Sequence, residues 1–183
     1  FAPGDVARSE TANAAAQIAL DAFGRVDCLA HFAAAHSKLN WESADEDEFN
    51  RILSINVTGS FLMAKAAAKV MIDQGIKGAM VLTASGGVFM GGTGENGRGG
   101  PAYTTSKGGV LILVRTLAKS WGKHGIRINA ISPGVVETAM TKEYTDEAMQ
   151  GAADRAALRR VSQPEEQAAA AIWLLSDEAG FIT

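Results

Sequence analysis

Tyr103 and Lys107 place a phenol and an ammonium four residues apart in the stretch Tyr103-Thr104-Thr105-Ser106-Lys107. On an α-helix, positions i and i+4 share one face, so both heads reach into one cleft. A free phenol ionises near pH ~10, too high for efficient proton transfer at neutral pH. A fixed cation nearby favours the phenolate, and a tyrosine tuned in this way suits general acid or base chemistry. The same pair also arises by chance in helices, as a half-buried ring beside a solvated amine. The surrounding residues decide between the two.

The elements that position the pair follow from pattern. Pro101 suits a first helical turn. The helix then carries Val110, Leu111, Leu113, Val114, Leu117 and Ala118, and stops at Gly122 or Gly125. Ahead of it, Gly86 to Gly100 holds eight glycines in fifteen residues, so a loop is expected. Three short apolar runs read as buried strands: Val26 to Phe32, Gly78 to Ala84 and Ile126 to Ser132. Phe1 to Val6 reads as the end of another strand and a turn. Between them lie helical stretches. One is capped by Ser9 and runs to Phe23, with Gly24 as its stop. A second is long, starting near Asp45, bending near Val57-Thr58-Gly59 and closing at Gly75. Lys142 to Arg160 is partly helical. Ser162-Gln163-Pro164-Glu165 reads as a capping box for a last helix ending near Leu175. Strand and helix alternate, which predicts an α/β fold: a doubly wound parallel sheet with helices on both faces, in a single domain over residues 1–183.

In such a sheet, ligands bind beyond the carboxyl ends of the strands. Ser85 follows one strand, Phe32 to Ala35 another, and Ser132-Pro133-Gly134 a third. Tyr103 and Lys107 open the helix after the Ser85 loop. Asn56 is a polar residue inside a mostly apolar helix. Topology alone brings these groups to one edge.

Composition narrows the function classes. The 183 residues are 47% hydrophobic and 20% charged, with a formal net charge of -3. No basic cluster supports nucleic-acid binding. Uninterrupted apolar runs fall short of a membrane span, and no signal peptide opens the chain. A soluble, cytoplasmic protein without a membrane partner is expected. The single cysteine, Cys28, sits in an apolar run and reads as a small buried hydrophobe. His31, His36 and His124 show no zinc-type spacing, so no metal site is expected.

Together these motifs resemble the short-chain dehydrogenase/reductase family across essentially the whole chain. Tyr103 to Lys107 matches its Tyr-x-x-x-Lys, Asn56-Val57-Thr58-Gly59 its Asn-x-x-Gly, and Ser85 its serine. Arg127 to Gly134 is similar to the strand leading to its Pro-Gly turn, and Thr138 to the threonine after it. Asp5-Val6 resembles its adenine-contacting Asp-Val. The resemblance implies a Rossmann-like fold. It implies an NAD- or NADP-dependent oxidoreductase that interconverts a secondary alcohol and a ketone. Tyr103 would exchange the proton, Ser85 would bind the reacting oxygen, Lys107 would lower the Tyr103 pKa and bind ribose, and Asn56 would hold a relay water. Asp5, Val6, Phe32, Ala33, Pro133, Gly134, Val136 and Thr138 would join Tyr103 and Lys107 in binding the coenzyme, with Val136 and Thr138 on its carboxamide. A homotetramer or homodimer built on the two long helices is implied. The plainer readings stay open: Ser85 satisfying strand-end backbone, Asn56 capping a helix break, Thr138 starting a helix. So do two other functions, a non-catalytic cofactor-binding protein and a nucleotide-sugar epimerase or dehydratase.

Three departures stand out. The family's glycine-rich phosphate loop is not in this sequence. Two strand–helix units, about 60 residues at roughly 30 per unit, are expected before Phe1, and the family's last strand after Thr183. His31-Phe32-Ala33-Ala34 stands where the family has Asn-Asn-Ala-Gly, with His31 either replacing a hydrogen bond of that motif or packing as a core residue. Finally, the Gly86 to Gly100 loop is long, with Glu95, Asn96 and Arg98 as polar reach; it reads either as a substrate lid or as a floppy surface insertion. Ala139 to Arg160, with Met140, Tyr144 and Met149, corresponds to the variable substrate region.

Overall fold

Strands β1 (Cys28–His31), β2 (Ala79–Thr83) and β3 (Arg127–Ile131) form a parallel sheet in the order β1-β2-β3. The computed structural model describes residues 1, 3–94, 99–142 and 144–183. Seven α-helices surround the sheet among these residues: α1 (Ser9–Phe23), α2 (Glu46–Leu53), α3 (Gly59–Gln74), α4 (Gly87–Met90), α5 (Pro101–Trp121), α6 (Asp146–Arg155) and α7 (Pro164–Leu175). The fold is the expected Rossmann-like α/β arrangement.

Successive strand residues point to opposite faces. Met80 and Leu82 of β2 and Ile128 of β3 pack against Ala64, Ala68 and Met71 of α3 and Val110, Val114 and Leu117 of α5. Val81 and Ile131 point the other way and meet Ala171 of α7. Each side chain of this size, fully buried, contributes about 1.5–3 kcal/mol, so the α3/α5 face carries most of the core. Burial on both faces explains why β2 reads as an unbroken apolar run. Arg127 Nη1 and Nη2 donate to Leu174 O (2.7 Å) and Ser176 O (2.9 Å), a cation closing the C-terminal end of α7.

The long helix starts as expected, with the Asp45 carboxylate accepting from Glu48 N at 2.8 Å. Its bend is a π turn over Ser54–Thr58 joining α2 to α3. By length and composition, Glu46–Gln74 would suffice to cross a membrane. Here Ile52, Ala64, Ala67, Ala68 and Met71 are buried in the core. The helix closes at Gly75, with φ 68° and its N–H donating to Ile72 O.

Several local expectations are corrected. Residues 3–8 make a turn and not a strand end. Their hydrogen bonds are local, Arg8 N to Asp5 O at 3.0 Å and Ala7 N to Asp5 Oδ1 at 2.9 Å. Ser9 is the first residue of α1, and Arg8 holds the cap position without a side-chain bond. The last helix is capped one residue later than read, by Gln163 and Glu166. Ser162 is otherwise engaged, its N–H donating to Val135 O at 3.1 Å where residues 135–137 pair with it. Cys28 is exposed, because it alternates with inward-facing Leu29 on the edge strand. One helical turn, α4, forms inside the glycine-rich segment. Glu95, Asn96 and Arg98 lie outside the described residues.

Candidate active site

The carboxyl ends of the strands open onto a cavity of about 400 Å³. Tyr103 and Lys107 reach it from the first turns of α5, and Ser85 from the segment after β2. Pro133, Gly134, Val136 and Thr138, which follow β3, form the opposite side. Phe32 also lines it.

Lys107 is 3% exposed, and its Nζ donates to Thr83 O, the last residue of β2, at 2.7 Å. That is its only hydrogen bond among the described residues, so N–H groups remain for a ligand in the cavity. Burial pushes its pKa down to about 8. The Nζ lies 5.9 Å from the centroid of the Tyr103 ring. Burial pushes the Tyr103 phenol up, the hydrogen bond with Ser85 opposes that, and Tyr144 adds to the rise. Lys107 is not among the causes of that shift. Desolvation dominates, and the ammonium is turned to a backbone carbonyl. Ser85 Oγ also accepts from Gly87 N at 3.2 Å, which fixes it at the start of α4.

Asn56 is fully buried behind the cavity. Its Oδ1 accepts from Ala35 N (2.8 Å), while Nδ2 donates to Ala35 O (2.9 Å) and to Ser106 Oγ (2.8 Å). Ser106 Oγ in turn donates to Tyr103 O at 2.7 Å. Asn56 thus joins the π turn, the segment after β1 and the first turn of α5. Ser60 Oγ donates to the Asn56 carbonyl at 2.6 Å. A π turn widens the helix locally and often marks a functional position; here it carries the side chain that ties Ala35 by two hydrogen bonds and the Tyr103 turn by one, through Ser106.

The other candidates divide. Asp5, Val6 and Ala33 are not part of the cavity wall. The Asp5 carboxylate is taken by Ala7 N, and Val6 packs on the glycine at 59, where a Cβ would meet its Cγ2 at 3.0 Å. Thr138 caps the short 3-10 turn Ala139–Thr141, its N–H donating to Thr141 Oγ1 at 3.0 Å. Val136 pairs with Ser162. His31 is a core residue, 4% exposed, with no partner for Nε2 among the described residues, and its carbonyl accepts from Thr83 Oγ1 at 3.0 Å. Burial, then Lys107, hold its pKa at about 4.

His36 is a site residue that the sequence did not flag. Its ring centroid is 4.6 Å from that of Tyr103, tilted by 60°. Nothing in its spacing distinguishes it. Only its place just beyond a strand end could have drawn attention. Met140 and Tyr144, from the expected substrate region, line the same cavity, as does Met90 of α4.

Known proteins share this architecture. The profile of the family described as enoyl-(acyl carrier protein) reductase matches residues 1–183. A crystal structure of a short-chain type dehydrogenase/reductase from Mycobacterium marinum superposes with a TM-score of 0.90 at 28% identity, covering 98% of this chain and 69% of that one. The chain belongs to the short-chain dehydrogenase/reductase family. An uncharacterized oxidoreductase of Mycobacterium tuberculosis is 39% identical over 174 residues, 91% of this chain and 63% of that protein. A 2,5-dichloro-2,5-cyclohexadiene-1,4-diol dehydrogenase of Sphingobium indicum is 38% identical over 190 residues, 98% of this chain and 71% of its own length. This short-chain dehydrogenase/reductase chain thus spans less than two thirds of the mycobacterial oxidoreductase.

Proposed function

We propose that the protein is an oxidoreductase that moves a hydride between NAD(P)(H) and a secondary alcohol or ketone, with Tyr103 as general acid/base. The observation that carries this is the gathering of Tyr103, Ser85 and buried Lys107 in one strand-end cavity. Family membership and the names of its dehydrogenase relatives support it.

The residues present fit the nicotinamide end of such a coenzyme. Lys107 keeps unused N–H groups in the cavity, and Gly134 has nothing within 4 Å of where a Cβ would be, leaving room for a flat ring. Pro133, Gly134, Val136 and Thr138 would hold that end, and Lys107 a sugar hydroxyl. Phe32 and Ala33 would lie along the coenzyme, and Asp5 and Val6 at its adenine. When bound, the coenzyme supplies or accepts the hydride.

The chain's own groups handle the proton. Ser85 Oγ and Tyr103 Oη together define where the reacting oxygen sits. During reduction Tyr103 gives its proton to that oxygen, and during alcohol oxidation it takes one. A phenol held neutral by burial is ready for the first task. The Lys107 ammonium stabilises the phenolate left behind, and Asn56 holds the Tyr103 turn in register. The protein is further proposed to be a cytoplasmic homodimer or homotetramer, with Phe61 of α3 and Ile112 of α5, both exposed, in the subunit contact.

The test is coenzyme oxidation with a panel of ketones, using NADH and NADPH. Turnover that disappears in Tyr103→Phe is the expected result. Turnover that Tyr103→Phe leaves intact overturns the proposed proton donor, and coenzyme binding without turnover on any ketone points to a non-catalytic binding protein.

A further inference from the structure

Met90, Met140 and Tyr144 line the cavity on its substrate side. His36 lines the same cavity beside Tyr103. Its imidazole packs on the Tyr103 ring and faces Tyr144 at 6.4 Å between centroids. It makes no hydrogen bond to the described residues, so its polar atoms are free for a ligand. Burial, then Lys38, hold its pKa below the ordinary value. The ring is neutral at physiological pH, with one nitrogen a donor and the other an acceptor.

Its position is built, although it lies on a loop. On one side, Ala35 is held through both its N–H and its carbonyl by buried Asn56. On the other, Ser37 is 3% exposed and its carbonyl accepts from Gly100 N at 2.9 Å. A Cβ at Gly100 would run into Leu39 O, so the two loops meet backbone to backbone. His36 therefore sits between two anchored neighbours, beside the phenol that exchanges the proton. An imidazole fixed against the Tyr103 ring lies on the cavity wall where a substrate held by that tyrosine would extend.

We propose that His36 is a specificity-determining residue that hydrogen-bonds a second oxygen of the substrate, so that diols and hydroxyketones are preferred over monofunctional alcohols and ketones. The proposal deepens the oxidoreductase reading and rests on the substrate occupying this cavity. A polar group built to meet a substrate hydroxyl discriminates against the analogue without it, because the polar group is then left unpaired.

His36→Phe keeps a ring against Tyr103 and removes both the donor and the acceptor. The probes are 2-hydroxycyclohexanone and cyclohexanone, reduced by the full protein with its preferred coenzyme. His36→Phe is expected to lower kcat/KM for the hydroxyketone on the order of tenfold, the worth of one hydrogen bond, and to leave cyclohexanone within about twofold. His36→Gln, which retains a donor and an acceptor, should recover part of the preference. A second readout needs no turnover: the imidazole 15N resonances of His36 should move on titration with 2-hydroxycyclohexanone and not with cyclohexanone. Equal effects on both probes, with no resonance shift, overturn the proposal and leave His36 as packing for Tyr103. Should Tyr103→Phe retain turnover, the assigned reaction fails, while the resonance titration still decides His36.

Discussion

The two walls of the cavity are held in different ways. On the α5 side, Lys107, Asn56 and Ser106 are buried and tied by hydrogen bonds to Thr83, Ala35 and Tyr103. On the substrate side, Met90 is 72% exposed and Met140 42%. There the side chains meet by ring and apolar contact. The difference separates two tasks. A proton-handling group needs fixed geometry and a low-dielectric setting, which only a packed core supplies. A substrate wall needs shape, which loops supply and which changes at small cost to the fold. His36 is the exception that joins them: a loop residue anchored on both sides by the tied wall.

The largest expected break in this contrast is Tyr103→Phe. If Tyr103 is the proposed general acid/base, its loss lowers kcat by about 10²–10⁴-fold. Stability should fall by only about 1 kcal/mol, the worth of the bond to Ser85. Stopped-assay kinetics and denaturant melts on the same preparation measure both.

Next comes Asn56→Ala. It removes three hydrogen bonds and strands Ser106 and Ala35, so urea unfolding should show a loss of about 2–4 kcal/mol. Met140→Ala, on the exposed wall, should stay within about 1 kcal/mol in the same experiment. Equal losses would erase the distinction between the walls.

The third prediction concerns pH. The folded-state pKa of Lys107, about 8, lies below its ordinary value of 10.5. The unfolded chain therefore binds more protons between about pH 8 and 10.5, and stability rises with pH across that window. The penalty, on the order of 3 kcal/mol at most, is fully present below pH 8. Unfolding free energies of Lys107→Met should lack this rise.

The smallest effect is expected at His31, the orphaned imidazole next to the tied wall. Its folded pKa of about 4 lies below the ordinary 6.5. Stability is complete above about pH 6.5 and is lost as pH falls towards 4, by about 2 kcal/mol at pH 5. His31→Leu should resist that acid loss in melts at pH 5. At pH 7 it should differ little from the parent, because the orphaned nitrogen disappears with the charge problem.

Much of the fold was legible because it is encoded locally. Gly24, Gly75 and Gly125 end helices with positive φ, and Pro101 opens α5 where a missing N–H costs nothing. The unbroken apolar run of β2 already pointed to burial on both faces. Errors fell where a residue had a competing partner. Ser162 looked like a cap and instead pairs with Val135. Cys28 looked buried and is exposed at the start of an edge strand.

By itself, the sequence determined that Tyr103 and Lys107 share one helical face and that Ser85, Asn56 and the Pro133-Gly134 turn reach the same sheet edge. Those facts follow from periods of 3.6 and 2 and from strand order. Only the tertiary structure decided what surrounds them. The direction of the Tyr103 shift depends on how much water burial removes, and Asn56 finds Ser106 fifty positions away. The contact of His36 with Tyr103 needs two loops pressed together at Gly100. Desolvation and long-range contact have no local pattern, so no spacing along the chain announces them.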